Sequence, residues 1–171
     1  VISPQEICDS LGADILRLWV TSSDYTRELN ISKVILDRVV EAYRRIRNTM
    51  TFLLGNLNNF DISEAVQLDE MPELELWVLH RLYELDARIR KSCSTFEFHS
   101  LFLELHNFCT VDLSAFYFDI RKDTLYCDRL DSLTRRATRT VLDHLFNSLT
   151  AWFAPFIAFT AEEAWLARYP D

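Results

Sequence analysis

Arg44, Arg47 and Asn48 stand three and four residues apart in the run Ala42–Asp61, AYRRIRNTMTFLLGNLNNFD. Side chains at that spacing share one side of a helix on adjoining turns. A second cluster holds Arg121, Lys122, Tyr126, Arg129, Arg135, Arg136 and Arg139, with six basic residues against three acidic ones from 121 to 139. Cations for phosphate, an amide for base edges and an aromatic ring for stacking are what a binder of single-stranded nucleic acid needs. The blander reading of a surface Arg is a solvated side chain or an ion pair worth about 0–1 kcal/mol.

Other chemistry finds little support in the residues. Four cysteines (Cys8, Cys93, Cys109, Cys127) lie far apart with no CxxC, and read as free buried thiols. The four histidines form no HExxH; His99 and His106, seven apart, share a helix face as ordinary packing or surface residues. With two glycines there is no Gly-rich phosphate loop. No catalytic residue and no metal site is therefore expected. The net charge of −8 argues against a nucleic-acid binder. Much of the acid is concentrated in Asp61–Glu75, so a local basic patch still suits phosphate, with long-range steering weakened.

The elements that must position these residues read as helices. Ser3, Pro4 and Glu6 form a capping box for a short helix that turns Ile7 and Leu11 inward and stops at Gly12. Ala13–Ser23 is apolar over most of its surface, as a segment packed between two bodies would be. Asp24–Ile31 is a connection. Ser32–Leu57 is the central helix, capped by Ser32, with Gly55 and the Asn pairs at its end; Leu36, Val39, Val40, Tyr43, Ile46, Met50, Leu53, Leu54 and Leu57 form its apolar stripe. Asn58–Met71 reads as a solvated acidic loop that repels phosphate. A second long helix runs Glu73–Ser92, followed by a turn at Ser92–Thr95. A third runs Phe96–Lys122, with Phe116 and Ile120 on its apolar side. Asp112, inside this apolar segment, demands a hydrogen bond or a basic partner, and Arg47 is one candidate. Asp119–Leu130 reads as a helix end and loop. Asp131 then caps the helix Ser132–Phe153, which turns Leu133 inward and puts Arg135 and Arg139 on one face. Thr160 and Glu163 form a capping box for a last short helix.

Four long amphipathic helices make an all-α antiparallel bundle, with residues 1–31 as a helical connector and 32–171 as the bundle. No apolar run approaches the roughly 20 residues that span a bilayer. The absence of an initiator Met suggests a piece of something longer.

The wording of the central helix, preceded by GADILRLWVTSSDY (Gly12–Tyr25), resembles isoleucyl-tRNA synthetases of the bacterial type. FHSLFLELHNFCTVDLSAFYFDIRKDTLYCD (Phe98–Asp128) and APFIAFTAEEAW (Ala154–Trp165) extend the resemblance over nearly the whole chain. It implies the helical anticodon-binding domain that follows the catalytic core, with residues 1–31 joining the two. The implied partners are the anticodon stem and loop of the tRNA for isoleucine and the catalytic, editing and C-terminal domains of the same enzyme. The implied setting is a cytoplasmic monomer. ATP and magnesium would serve the parent enzyme, and zinc a C-terminal module outside this chain. The HIGH and KMSKS strings are missing, so the chain should be inactive alone. Asp119–Thr124 matches the family's DIIKDR segment near the anticodon loop, which makes Lys122 the first candidate contact. Arg121 stands where Ile is common and Thr124 where Arg is common. Three alternatives stay open: the same domain of a valyl-, leucyl- or methionyl-tRNA synthetase, a helical protein-interaction module, and a domain too acidic to bind RNA by itself.

Overall fold

In the computed structural model, residues 2–170 are described; Val1 and Asp171, at the outer bounds of the connector and the bundle, lie outside the described residues. The helices are α1 (Pro4–Leu11), α2 (Ala13–Ser22), α3 (Lys33–Asn56), α4 (Glu73–Thr95), α5 (Phe98–Asn107), α6 (Phe118–Cys127), α7 (Leu133–Phe153) and α8 (Ala158–Arg168). A π-helical run, Phe108–Tyr117, joins α5 to α6. No strand occurs among the described residues. The fold is the expected all-α bundle, and its long helices alternate in direction along the chain.

Pairs of contacts fix those directions. Arg81 reaches Asp112 and Arg88 approaches Glu104, so α4 runs antiparallel to the α5–π–α6 rod. Arg139 reaches the Asn56 carbonyl while Thr150 meets Met50, so α7 runs antiparallel to α3. Ile46, Leu53, Val78, Leu105, Leu113, Tyr117, Val141, Leu142, Leu145, Phe146, Leu149 and Phe153 are wholly buried where these rods meet. Asp112 has its basic partner, and it is Arg81 rather than Arg47.

The π run explains where the third helix departs from a simple stripe. Its i→i+5 pattern widens each turn beyond the 3.6 residues of an α-helix. Ser114 Oγ accordingly donates to the carbonyl five residues back, on Cys109. Buried positions then fall at Cys109, Leu113 and Tyr117, steps of four, and continue to Phe118. Phe116 and Ile120 are turned outward, 44% and 46% exposed, against the expectation that both face the core.

Other boundaries move as well. Asp119–Cys127 is helical, not a loop, because Leu125 is buried and anchors the extra turns. The turn after α4 falls at Phe96, in the left-handed region at φ 60°, rather than at Ser92–Thr95. Ser32 caps α3 by accepting from the Ile35 amide, but Gly55 lies inside that helix. Ser3 and Ser132 make no side-chain cap, and Asp131 binds Arg129 instead of capping α7. Leu11 and Leu133 are exposed rather than turned inward. Thr160 lies within α8, not at its start. Only Cys109 among the thiols is buried, and burial pushes its pKa up to about 12; Cys93 and Cys127 are exposed.

The connector packs directly on the bundle. α2 lies against α3, α5 and α8 and buries Ile15 and Leu18, while Val20 is exposed, so α2 hides one face rather than its whole surface. Asp14, 7% exposed, accepts hydrogen bonds from the Phe159 and Thr160 amides and from the Thr160 hydroxyl.

Candidate nucleic-acid interface

The loop between α3 and α4 is fastened rather than free. Asp61 caps the 3-10 turn Ile62–Glu64 with a complete capping box. Val66 and Met71 are buried, and the Val66 amide donates to Thr140 Oγ1 on α7. The expected solvated excursion is therefore a strap across the end of the bundle. Arg139 clamps it: Nη1 donates to Glu64 Oε2 at 2.6 Å, Nη2 to the Asn58 carbonyl at 2.9 Å and Nε to the Asn56 carbonyl at 3.3 Å. The guanidinium also lies over the Phe60 ring, 5.3 Å from its centroid.

This clamp, together with α6, gathers one half of the basic residues. Arg135 Nε donates to the Leu125 carbonyl, so the last turns of α6 lie beside the first turns of α7. Arg136 Nε donates to the Glu64 carbonyl of the strap. Neither Arg135 nor Arg136 has a carboxylate partner among the described residues, and Arg135 Nη1 is buried with no partner at all. A cleft of about 600 Å³ opens here, lined by Asn58, Asn59, Ser63, Glu64, Leu130, Asp131, Arg135, Arg136 and Arg139. Tyr126 stands 67% exposed on the neighbouring turn of α6.

The remaining candidates are engaged elsewhere. Arg121 is mostly buried and faces Glu75, with Nε to Oε1 and Nη2 to Oε2 both at 2.8 Å. The Tyr117 hydroxyl and the Thr138 hydroxyl donate to the same carboxylate. Burial, reinforced by Glu75, raises the Tyr117 pKa well above its ordinary value. Lys122 is exposed and pairs with Asp119 at 2.7 Å, which raises its pKa. Arg129 is exposed and makes two bonds to Asp131. Arg121 and Arg139 thus sit in the framework, whereas Lys122, Tyr126, Arg129, Arg135 and Arg136 remain at one end of the bundle.

Arg44, Arg47 and Asn48 do not join that end. Arg44 pairs with Glu41, Arg47 makes two bonds to Glu163 of α8, and Asn48 is exposed on the flank of α3. Nine residues of helix separate Arg47 from Asn56, roughly 14 Å at the α-helical rise.

Glu75, Asn58, Asn59, Ser63 and Leu130 were not legible as site or framework residues. Glu75 reads as one more acid in an acidic stretch, and the Asn pair as a helix end. No cluster of His, Cys, Asp and Glu suited to a metal ion occurs among the described residues, and no helix there is long and apolar enough to cross a membrane.

Residues 75–170 match the family described as the anticodon-binding domain of tRNA ligase. The chain belongs to this family. The domain is 54% identical over 170 residues to the isoleucine–tRNA ligase of Ruegeria pomeroyi, covering 99% of this chain and 17% of that protein. It is 52% identical over 171 residues to that of Gluconobacter oxydans, covering 100% of this chain and 18% of that protein. With the ligase of Caulobacter vibrioides the identity is 50% over 171 residues, again 18% of the relative. The domain thus spans less than a fifth of the length of the curated relatives it matches.

Proposed function

We propose that this domain grips the anticodon stem and loop of a tRNA for isoleucine, as part of an isoleucine–tRNA ligase, and does so with the end of the bundle where α6 meets α7. One observation carries the placement. On a chain of net charge −8, most guanidiniums are matched to carboxylates, yet Arg135 and Arg136 lie together with none, beside exposed Tyr126. Each spends its Nε on a backbone carbonyl, which fixes the side chain without neutralising it. Fixed, unneutralised guanidiniums are suited to phosphate. Lys122, exposed and paired with Asp119, exchanges that partner for phosphate at small cost.

In this reading the domain performs no chemistry. ATP, magnesium and isoleucine are handled by parts of the ligase outside this chain, and zinc by a C-terminal module. The domain works as part of a cytoplasmic monomer, with the connector of residues 1–31 facing the catalytic domain. Similarity to isoleucine–tRNA ligases along the whole chain supports isoleucine over its sister amino acids.

The test is titration of the chain with an isoleucine tRNA stem-loop at low and moderate salt, against a blunt RNA duplex of the same stem. Salt-sensitive binding that favours the stem-loop is expected. No binding at low salt, or equal binding to the duplex, would overturn the assignment.

A further inference from the structure

The cleft between the strap and α7 has features that phosphate binding alone does not require. Asn58 and Asn59 are both exposed on its wall, and neither side-chain amide makes a hydrogen bond among the described residues. The strap that carries them is held through backbone carbonyls by Arg139 and Arg136, so the side chains are spared. Asn59 has φ 56°, in the left-handed region that Asn tolerates better than most residues. That conformation turns the chain off the end of α3.

The acids of the cleft are already neutralised. Glu64 is taken by Arg139 and Asp131 by Arg129. Arg135 and Arg136 keep their charge, and the buried Nη1 of Arg135 still lacks an acceptor. Leu130, 75% exposed, gives the rim an apolar surface. The volume of about 600 Å³ is that of a small-molecule site.

We infer that this cleft takes one unstacked nucleotide of the RNA, with Asn58 and Asn59 reading the base edge and Arg135 and Arg136 holding the phosphates on its two sides. The inference rests on the domain being an anticodon-loop binder, and it names the residues that give it sequence preference. An amide offers a donor and an acceptor side by side, which is the complement of a base edge. Fixing the strap before RNA arrives spares the ordering cost at binding.

The experiment compares the chain with its Asn58→Ala and Asn59→Gly variants. Glycine is chosen at residue 59 because it keeps the left-handed backbone while deleting the amide. Each is titrated with a panel of isoleucine tRNA stem-loops in which every loop nucleotide is replaced in turn, and thermal melts check that the variants fold. The expected result is that one loop position costs wild type about 5- to 150-fold in affinity, and that the Asn variants lose this discrimination while keeping the salt dependence. Variants that discriminate as wild type does would overturn the inference while leaving the proposed function intact. A wild type that binds every loop equally would do the same. Failure of wild type to bind any stem-loop would instead remove the proposed function, and the inference with it.

Discussion

The carboxylate of Glu75, wholly buried at the first turn of α4, accepts two hydrogen bonds from the guanidinium of Arg121 on α6, each 2.8 Å long. Tyr117 and Thr138 complete its shell from the π run and α7, so one carboxylate ties three rods together. Removing one partner of a buried pair leaves an uncompensated charge and costs about 3–5 kcal/mol. Glu75→Ala is therefore expected to lower the urea midpoint sharply, and Arg121→Ala nearly as much. A variant of Arg121 that unfolds at the wild-type midpoint but loses RNA affinity would put this residue back among the RNA contacts.

The clamp at Arg139 makes a second, contrasting case. Its bonds run to Glu64, Asn56 and Asn58, and its side chain is only 7% exposed. Arg139→Ala is expected to destabilise the fold by about 1–3 kcal/mol and to free the strap. RNA affinity should fall with the salt slope unchanged, because no phosphate contact is lost. Hydrogen exchange at residues 57–66 measures the first effect and titration across salt the second.

Asp14 caps α8 from a distance. The residue before α8, Ile157, offers no side-chain acceptor, and Asp14 of α2 supplies one to the Phe159 and Thr160 amides. Losing a cap of this kind costs about 0.5–2 kcal/mol. Asp14→Ala should lower the melting temperature and speed exchange of those two amides. Unchanged exchange at both would show that α8 is held by its apolar contacts alone.

His106 gives the pH dependence a sign. Burial, and next the charge of Arg45, lower its pKa in the folded state, and its Nε2 is buried without a partner. The fold thus prefers the neutral ring. Its contribution is fully present above the ordinary pKa near 6.5 and is lost as pH falls through the lower folded value. Stability should drop from pH 8 toward pH 5.5, and His106→Gln should flatten that drop. Equal slopes for the two proteins by urea unfolding would contradict it.

Much of this was legible in the sequence, and the misses have physical causes. The stripe from Leu36 to Leu57 placed α3 to within a residue, because a seven-turn amphipathic period is hard to imitate. The wording of Phe98–Asp128 pointed to the right family. Phe116 and Ile120 were misplaced because a π run shifts the phase of burial without any marker in residue type. The pairing of Arg121 and Arg139 with acids was not visible because a charge count cannot tell a guanidinium with a carboxylate opposite it from one without. Their partners, Glu75 and Glu64, lie 46 and 75 residues away in the chain. The Asn58–Asn59 pair looked like a helix terminus, and only the strap around it shows two unengaged amides on a cleft wall.

The central claim is that RNA meets the α6–α7 end through Arg135 and Arg136. The slope of log affinity against log salt, measured with an isoleucine tRNA stem-loop, tests it most directly. Each lost phosphate contact reduces that slope by roughly 0.7–0.9. Arg135→Ala combined with Arg136→Ala should therefore reduce it by about 1.4–1.8, while Arg44→Ala on the flank of α3 leaves it unchanged. A double variant with the wild-type slope, or an equal loss on removing Arg44, would contradict the account.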